Sequence, residues 1–510
     1  MRFLLLFFLF VLSSCRTDNE NWPMPAGPNG DWSVNTAKSV PQNFSVSSNK
    51  NILWKRQMPE GGQSGIAVWG DRVFLTVLKP AKDESESSLT GSEIVALCVN
   101  ADNGEILWEY PMKGEALSRY MFCFSDSSTP GPVTDGEKVW FTNASGLISC
   151  LDYAGEVLWE RKFKPVEELD GVHFPFNKQF EPFVYKNILV SMEPYWKKDG
   201  KRKYGWNYLY GLDKNTGEVL WISEDPLTHY NTPFARNGKV LIGRGAYHKV
   251  PEGPMGYSMI DLNNGKRIWK YEADAGKAMY VNYFNDKYAV WFTERDSKVH
   301  VLNPDNGKII RKIDLAASAV LRTHKGSSYE FKENVNIAKE FGVNVFPAWY
   351  TNVLVGDDLF FMCFTDKKKK FGPDYCLARV NLVSGKTEYL QVPVHNNPGA
   401  EAIWNKALTT ETKNSRGLDV AHDKKRSTRD GWFWLFSASP ICVNSKIYFT
   451  TMAGVVYCID TKAADFNEKA LVSVSDLGPI GKTWTLSSMS YAKGRLYHRT
   501  LKNLICIGEE

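Results

Sequence analysis

The feature that most constrains the fold of this chain is a strand-turn-strand pattern ending in tryptophan that recurs along most of the sequence. The copy at Val95–Tyr110 reads VALCVNADNGEILWEY, with an Asn-Gly pair between two apolar runs. Such a pair is typical of a two-residue hairpin turn in which both central residues take positive φ. Further copies occur at 148–161, 208–223 and 257–272, with degenerate copies at 299–314 and 376–392. One hairpin cannot bury both of its faces, so a row of hairpins predicts a stack of repeats.

A second recurring strand allows the repeats to be counted. It begins in a turn at eight places, namely Gly70, Asp135, Lys186, Asn237, Asn285, Gly356, Asn444 and Lys493. The last unit, ending at 504–510, lacks an outermost strand, whereas the strand at 51–57 carries Trp54 in the repeat position with no strands before it. The sequence therefore predicts an all-β fold, an eight-bladed β-propeller of four-stranded antiparallel blades whose ring is closed by the N-terminal strand pairing with the C-terminal blade.

The repeated tryptophans and cysteines are interpreted as packing residues. The tryptophans expected to wedge between blades are Trp54, Trp108, Trp159, Trp221 and Trp269. The cysteines at equivalent strand positions are Cys98, Cys150, Cys458 and Cys506. Stacked sheets lie about 10 Å apart and a disulfide needs Cα atoms within about 7 Å, so these cysteines are predicted to be buried, unpaired thiols.

The N-terminus predicts a membrane anchor. Arg2 and the apolar run 3–12 resemble a signal peptide too short to span a bilayer, and Leu-Ser-Ser-Cys at its end resembles a bacterial lipobox with Cys15 as the acylated residue. The alternative is an ordinary signal peptide in which a cysteine happens to fall there. The predicted organisation is a lipoprotein signal peptide at 1–15, a tether and surface-laid segment at 16–50, and a single propeller at 51–510. A floppy spacer is the alternative for 16–50.

The pattern that ends in NGEILW and TGEVLW resembles the PQQ-like repeat family, and the resemblance covers nearly all of 51–510. That family includes quinoprotein alcohol dehydrogenases, the lipoprotein of the outer-membrane β-barrel assembly machinery, and many lipid-anchored propellers. The resemblance implies the fold strongly and the function weakly. A quinoprotein would hold PQQ with Ca²⁺ beside an adjacent-cysteine disulfide, and this chain has no adjacent cysteine pair. No cofactor is therefore expected, and PQQ with calcium stays an unsupported alternative.

Insertions between the repeats are the expected place for function, because they form loops on one face. Four insertions stand out, at 111–129, 163–182, 316–349 and 395–437. In the third, the amphipathic run 329–341 is interpreted as a short helix. The fourth is basic and then abruptly aromatic, which suits a carbohydrate or an anionic ligand. The alternative is that 431–436 forms the innermost strand of a blade, its aromatic side chains filling the core.

The candidate ligand-binding residues come from these insertions and from turns. They are His229, His248, Arg322, His422, Arg426, Arg429, Asp430, Trp432 and Trp434. Propeller enzymes that act on polysaccharides use His, Tyr and Arg for proton transfer and carboxylate neutralisation. A lone loop histidine is more often a polar surface residue, and no cysteine or histidine spacing predicts a metal site. No catalytic residue is assigned.

Three functions remain open. The favoured one is a non-catalytic, lipid-anchored binding or scaffold protein for an envelope protein or a glycan, acting as a monomer at the outer membrane of a Gram-negative bacterium. The alternatives are a glycan-active lyase or hydrolase and a PQQ-dependent dehydrogenase. The chain has 62 basic and 57 acidic residues among 510, a net charge of +5 that argues against a dedicated nucleic-acid binder. The membrane is expected to be contacted through the lipid anchor only.

Overall fold

The computed structural model describes residues 20–509, except 80–89, 120–125, 166–179, 196–205, 228–231, 245–254, 274–280, 294–295, 366–374, 396–400, 405, 422–423, 425–427, 429–431 and 433–437. The described residues fold into a β-propeller of small antiparallel sheets, here called blades. The chain begins with β1 (Ser33–Val34) and β2 (Ile52–Gln57). No helix among the described residues has the length and apolar character needed to cross a bilayer.

Four blades of four strands come first, each with consecutive strands hydrogen-bonded side by side. The first blade holds β3 (Ala67–Trp69), β4 (Arg72–Leu78), β5 (Thr90–Asn100) and β6 (Ile106–Arg119). The second holds β7 (Val133–Thr134), β8 (Lys138–Asn143), β9 (Leu147–Asp152) and β10 (Val157–Lys162). The third holds β11 (Phe183–Tyr185), β12 (Ile188–Tyr195), β13 (Trp206–Asp213) and β14 (Val219–Leu227). The fourth holds β15 (Phe234–Arg236), β16 (Lys239–Arg244), β17 (Met255–Asp261) and β18 (Arg267–Ala273).

The later sheets are less uniform. A three-stranded sheet holds β19 (Ala289–Thr293), β20 (Lys298–Leu302) and β21 (Ile309–Asp314). A seven-stranded sheet holds β22 (Ala319–Lys325), β23 (Ser328–Val335), β24 (Val345–Pro347), β26 (Asp358–Thr365), β27 (Cys376–Asn381) and β28 (Thr387–Gln391), with β25 (Val353–Val355) paired to β26. A five-stranded sheet adds β1 to β29 (Ile441–Val443), β30 (Lys446–Thr450), β31 (Val455–Asp460) and β32 (Leu471–Asp476). The final blade adds β2 to β33 (Ser490–Ala492), β34 (Arg495–Arg499) and β35 (Asn503–Ile507).

The prediction of eight four-stranded blades is wrong in its count. Seven sheets have four or more strands, and the sheet β19–β21 has three. Its first strand is reduced among the described residues to an isolated bridge between Phe284 and Ala289. Residues 285–288 lie between the two bridge partners and form the bend before β19, so the described pairing at this edge is a single bridge.

The hairpin turns differ from the two-residue type predicted from Asn-Gly. In the first blade the Gly104 amide donates to the Asn100 carbonyl at 2.9 Å, which closes a five-residue turn. Only the glycine takes positive φ, +76° at Gly104, while Asn103 does not. The Asn100 side chain accepts from the Asp102 amide at 2.8 Å and holds the turn open. The side-chain hydrogen bond and the left-handed glycine thus replace the second positive-φ residue of a tight turn.

Each repeat tryptophan packs against the turn of the next blade, as predicted. The indole Nε1 donates to a turn carbonyl for Trp54 with Ala101 (3.0 Å), Trp108 with Tyr153 (3.1 Å), Trp159 with Lys214 (3.1 Å) and Trp269 with Pro304 (2.8 Å). The rings cover the turn glycines so closely that a Cβ at Gly217 would lie 2.7 Å from the Trp159 ring. Where Arg311 replaces tryptophan, its Nη1 donates to the Val383 carbonyl in the next sheet and makes the same connection.

The predicted pairing of the N-terminal strand with the C-terminal blade is present. β2 runs antiparallel to β35, with Trp54 opposite Cys506. The other end of the junction, between this blade and the first, is fixed by Arg495 and Asp102, whose side chains lie 2.7 Å apart. Tyr497 also donates to the Ala101 carbonyl at 3.3 Å. The junction between the last and first blades therefore carries the same tryptophan contact as the junctions inside the chain.

The predicted thiols are confirmed as buried and unpaired: Cys98, Cys150, Cys458 and Cys506. In the blades with tryptophan, the cysteine lies directly opposite it, as Cys98 does with Trp108 and Cys150 with Trp159. A small apolar side chain at this position leaves room for the indole on the neighbouring strand.

The third insertion is mostly strand, not helix. The amphipathic run 329–341 falls largely in β23, which pairs antiparallel with β22, and the helix α1 covers only Ile337–Phe341. β22 in turn pairs in parallel with β28. Apolar residues at 329, 331 and 335 have the two-residue period of a strand, and pairing with β22 stabilises that conformation here. Asn336 then caps the short helix, its side chain accepting from the Lys339 amide at 2.8 Å.

The N-terminal segment, residues 20–36, lies against the innermost strands of several blades. Trp22 and Val68 exchange two backbone hydrogen bonds of 2.8 and 2.7 Å, and the Thr134 amide donates to the Pro23 carbonyl at 2.8 Å. β1 pairs in parallel with β29 on the far side. Trp22 and Trp32 are buried. Since one short segment reaches the inner strands of the first, second and five-stranded sheets, it crosses the axis of the propeller.

Candidate ligand site

The two edges of the propeller are built differently. In an antiparallel blade, the turns after the first and third strands share one edge, here called the turn face. The connections from one blade to the next lie at the other edge, here called the insert face, because the second and fourth long insertions are such connections. The first insertion begins inside β6, and the third contains β22, β23 and β24. Residue 20 is on the turn-face side, since the Asn21 side chain accepts from the amide of Gly70 in the turn after β3 at 2.9 Å.

A buried polar cluster occupies the insert face where the last and first blades meet. Its centre is Arg499, the last residue of β34, which has 0% exposure. The Arg499 Nη1 donates to the Ser64 Oγ at 3.0 Å and to the Thr76 carbonyl. Nε and Nη2 have no hydrogen-bond partner within the described part of the chain. One edge of the guanidinium is therefore satisfied by the first blade and the other is available.

A carboxylate lies beside this arginine. Asp126, also buried, acts on Arg499 electrostatically. Asp126 Oδ1 instead accepts from the amide and the hydroxyl of Ser128, the former at 2.7 Å. Burial lowers the pKa of Arg499 to about 10, and the Asp126 charge partly opposes that shift. Arg499 is thus still cationic near neutral pH.

The connection between β2 and β3 forms the wall of the cluster. A Cβ at Gly62 would lie 2.7 Å from the Ser128 Oγ and 3.0 Å from the Arg499 Nη2, so only glycine fits there without a shift. The backbone N–H of Gln63 donates to the Ser128 Oγ at 3.0 Å. The Gln63 side chain is 3% exposed, and neither its oxygen nor its nitrogen has a partner among the described residues.

His498 contributes a neutral base on the other side of β34. Its Nε2 lies 3.0 Å from the Thr485 Oγ1, and its Nδ1 has no partner in the described ranges. Burial, reinforced by the nearby Arg499 charge, lowers the pKa of His498 to about 3. The imidazole is consequently uncharged at neutral pH, and protonating it in place is unfavourable.

Most of the residues predicted to bind a ligand lie outside the described residues. These are His229, His248, His422, Arg426, Arg429, Asp430 and Trp434, together with the predicted lipidation site Cys15. Their roles stay predictions. Arg322 and Trp432 are the two that the structure describes, and it places them in separate buried environments.

Arg322 belongs to an ion network inside the seven-stranded sheet. Its Nη1 lies 3.3 Å from Glu388 Oε1 and 3.0 Å from the Phe466 carbonyl. Arg379 and Lys386 contact the same carboxylate, Arg379 through Nε at 2.8 Å. Burial alone would raise the pKa of Glu388, but hydrogen bonds from Arg379 outweigh it and the pKa is lowered. At 7% exposure, the Arg322 guanidinium is engaged in holding β22 to β28.

Trp432 packs in the hydrophobic core. It is 5% exposed, and its ring meets Tyr375 and Tyr457 edge to face at centroid distances of 5.3 and 6.1 Å. This is the arrangement expected of a core aromatic side chain.

Sequence reasoning missed Arg499, Gln63 and His498. Arg499 ends a repeat strand that was interpreted only as scaffold, and Gln63 follows two glycines in a connection too short to be noticed as an insertion. The available signal was Gly61-Gly62 before a polar residue at the point where the ring closes. Glycine pairs of this kind mark a close approach of the backbone to other groups.

Among the described residues, no group of three or more His, Cys, Asp or Glu side chains that could hold a metal ion occurs. A PQQ-bound calcium ion would be held by several carboxylate or carbonyl oxygens converging on one point. PQQ with calcium stays an alternative without a described site.

Comparison with known proteins gives a family match over part of the chain. Residues 91–287 match a family model described as outer membrane protein assembly factor BamB. No curated protein sequence matches the chain.

Solved structures show the same fold. Quinohemoprotein alcohol dehydrogenase from Comamonas testosteroni superposes with a TM-score of 0.54 at 11% identity, covering 96% of this chain and 81% of that one. The quinohemoprotein alcohol dehydrogenase ADHIIG from Pseudomonas putida HK5 gives 0.52 at 10% identity, covering 96% and 76%. BamB from Moraxella catarrhalis gives 0.35 at 13% identity, covering 73% and 94%, which is too low for structural inference. The repeat pattern, the blades and the two dehydrogenase superpositions agree on the fold: the chain is a β-propeller, and its residues 91–287 are similar to the PQQ-like repeats of the matched family.

Proposed function

We propose that this protein is a lipid-anchored, non-catalytic propeller that binds a protein or glycan partner in the cell envelope through its insert face. The observation that carries the proposal is the path of the N-terminal segment. Residue 20 lies on the turn-face side, and the predicted lipidation site Cys15 is only five residues earlier. Five residues span at most about 18 Å, so an anchored Cys15 keeps the membrane close to the turn face. The insertions then project from the opposite face, away from that membrane.

The same proposal includes a closed ring. The three-stranded sheet β19–β21 would be part of that ring, since Trp269 of the fourth blade contacts its Pro304 carbonyl just as other tryptophans contact a complete blade. The ring would close where Trp54 contacts Ala101. A closed ring protects the sheet edges and gives the insertions a rigid base.

The match to the assembly-factor family supports a scaffold role, and the fold shared with dehydrogenases does not contradict it, because a propeller hosts many functions. We infer an outer-membrane location from that family match and from the predicted lipobox. A Cys15→Ser substitution should release the protein from the membrane fraction. Loss of palmitate labelling in the same variant would show that the lipid anchor itself is missing.

Site-specific photocrosslinking in intact cells tests the binding face. A photoreactive residue at Lys413 or Arg416, both exposed on the fourth insertion, should capture an envelope protein or glycan. The matched controls are Asn103 and Lys266, exposed in turns of the turn face. Adducts only at the control positions would overturn the assignment of the face. Turnover of a captured glycan by the purified protein would replace the binding function with the lyase or hydrolase alternative.

A further inference from the structure

We propose that a cavity under the N-terminal segment binds the side chain of a lysine from a protein partner. The cavity has a volume of about 180 Å³ and lies between that segment and the innermost strands of the third and fourth blades. The inference goes beyond the proposed function and does not rest on it, because the mouth of the cavity is at the turn face and not among the insertions.

The ends of the cavity are marked by residues of different exposure. Asn29 of the N-terminal segment and Asn237 in the turn after β15 both line the cavity and are exposed, so they form its mouth. Tyr185, the last residue of β11, lines the same end. Glu181 also lines the cavity, but it precedes Tyr185 by four residues, about 13 Å of extended chain. Glu181 is therefore at the inner end.

The walls between the mouth and Glu181 are mostly apolar. They include Met24 and Pro28 of the N-terminal segment, Phe183 of β11 and Ala235 of β15. Walls of this kind suit an aliphatic chain, because they remove its methylene groups from water. A single water molecule needs about 10–15 Å³, so a cavity of this volume has room for a long side chain.

Glu181 supplies a carboxyl group that is held in place and is still available to a ligand. Its Oε2 accepts from the Gly131 amide at 3.1 Å, and its Oε1 has no hydrogen-bond partner in the described part of the chain. One oxygen thus fixes the group, and the other is left for a ligand. An ammonium group is the complementary partner, because it brings the opposite charge and donates hydrogen bonds.

The other charges near the cavity leave room for a cation. Arg236 is the second charged residue in the described lining, and Tyr185 is the remaining titratable one. The Arg236 Nη2 lies 3.4 Å from Asp286 Oδ2, and Asp31 of the N-terminal segment also acts on this guanidinium electrostatically. Two carboxylates therefore offset the positive charge of Arg236, which is next to Asn237 at the mouth.

Binding of a cation would be coupled to the loss of a proton. Burial raises the pKa of Glu181 to about 8, partly opposed by the Gly131 hydrogen bond, so the empty site is mostly protonated at pH 6. A lysine ammonium stays charged throughout this range. Raising the pH ionises Glu181, so binding should strengthen by about tenfold per pH unit until the pKa is reached.

The position of the carboxyl group selects lysine among primary ammonium groups. Lysine carries its ammonium on four methylenes, which can follow the apolar walls towards Glu181 while the partner's backbone stays at the mouth. The ethanolamine head group of a lipid has only two methylenes and a phosphate beside them. That phosphate would have to enter the apolar part of the cavity, which is unfavourable for an unpaired charge.

The experiment uses the full chain in detergent and three soluble probes, measured by titration calorimetry at pH 6, 7 and 8. Nα-acetyl-lysine methylamide should bind saturably, and at least tenfold more tightly at pH 8 than at pH 6. The norleucine analogue, which lacks only the amine, and phosphoethanolamine should each bind at least tenfold more weakly than the lysine probe at pH 8.

Each contrary result removes a defined part of the proposal. A lysine probe that does not bind would show that the cavity is only a gap in the packing. Binding that weakens as the pH rises would mean that a neutral carboxyl group is preferred, and would overturn the ion pair. Equal binding of the norleucine analogue would overturn the role of Glu181, and equal binding of phosphoethanolamine would overturn the assignment to lysine.

Two variants locate the site. Glu181→Gln keeps the shape and removes the charge, so the lysine probe should bind at least tenfold more weakly at pH 8 and lose its pH dependence. Ala235→Leu fills the cavity from its wall and should abolish binding, and it covers the case in which the first variant does not fold. Glu218→Gln, at an exposed glutamate in another turn of the same face, is the control and should change nothing. Unchanged binding in both Glu181→Gln and Ala235→Leu would overturn the site.

Failure here is distinguishable from failure of the proposed function. The crosslinking map of the insert face and the release by Cys15→Ser do not involve this cavity. A protein that crosslinks from the insert face yet ignores the lysine probe would keep its binding role and lose this second site.

Discussion

The junction between the last and first blades has two ends that are built on opposite principles. At the turn face, Trp54 packs over Gly104 and donates to the Ala101 carbonyl, as Trp108, Trp159 and Trp269 do with their own turns at junctions within the chain. At the insert face of the same junction, Arg499 and Gln63 are buried with polar atoms that have no partner within the described ranges. The first end is a copy of the repeat, while the second has a counterpart at Arg244, which ends β16 and is also buried with its Nε unpartnered among the described residues.

The difference shows where stability and function are separated in this fold. A tryptophan over a glycine buries apolar area, and for four of the five repeat tryptophans the indole N–H also donates to a turn carbonyl, so these contacts stabilise the junctions. Buried polar atoms without partners cost free energy, and they are tolerated where a ligand or water completes them. The turn face thus supplies rigidity, and the insert face can be given over to binding.

The largest expected effect comes from removing one tryptophan contact. Trp159→Ala should lower the free energy of unfolding by about 3–5 kcal/mol, because it deletes a large ring packed over Gly217 and leaves a cavity. Urea unfolding of the purified protein measures this. Leu158→Ala is the matched control, since that neighbouring side chain is 48% exposed and should cost less than about 1 kcal/mol. Similar losses for both variants would contradict the role assigned to the tryptophan contacts.

The second-largest expected effect is a pH dependence of the free energy of unfolding that comes from His498, at the insert-face end of the junction. Folded His498 has a pKa of about 3 against 6.5 when unfolded, so the unfolded state binds more protons between these values. Its stabilising contribution is complete above pH 6.5 and is lost as pH falls, by up to about 1.4 kcal/mol per unit. Relative to His498→Gln, the wild type should therefore lose about 2–3 kcal/mol between pH 6.5 and 4.5.

The measurement is urea unfolding of both proteins across this pH range. Taking the difference between them removes the acid response of the carboxylates that they share. Trp159→Ala removes no ionisable group, so it should keep the wild-type slope. A wild type and His498→Gln that fall in parallel would show that His498 is not buried as described.

What the sequence predicts well is the part that repeats. The blade strands, the tryptophan contacts, the unpaired cysteines and the pairing of β2 with β35 follow from short patterns that each blade copies. What it predicts poorly depends on partners distant in sequence. The run 329–341 became strand because β22 was available to pair with it, and Arg322 is buried because Glu388 lies opposite. Arg499 and Gln63 are 436 positions apart, and no local pattern brings them together.

A third test separates backbone strain from packing at the turn face. Gly217 and Gly356 both have positive φ, +75° and +62°, so an alanine is strained at either position. A Cβ at Gly217 would lie 2.7 Å from Trp159, whereas none of the described atoms lies within 4 Å at Gly356. Gly356→Ala should cost about 1 kcal/mol and Gly217→Ala about 2–3 kcal/mol in urea unfolding. Equal costs would mean that the tryptophan ring moves aside freely and contributes little to the junction.

The smallest effect extends the comparison to the axis, where the N-terminal segment crosses between the two faces. Glu181 accepts from the Gly131 amide at 3.1 Å, and Pro25 of that segment lies against the same glycine. Burial raises the pKa of Glu181 to about 8, partly opposed by the Gly131 hydrogen bond. A raised folded pKa gives a contribution that is complete below the unfolded value of 4.5 and is lost as pH rises towards 8. Between pH 5 and 8, the wild type should therefore lose about 1 kcal/mol relative to Glu181→Gln, a figure reduced for the partial exposure of the group. Urea unfolding of both proteins at pH 5 and pH 8 measures this difference. A wild type that gains stability over the variant would place an ionised carboxylate, and hence water, beside the N-terminal segment. The propeller axis would then be hydrated, with a polar character like that of the insert face, and would differ from the apolar contacts of the turn face.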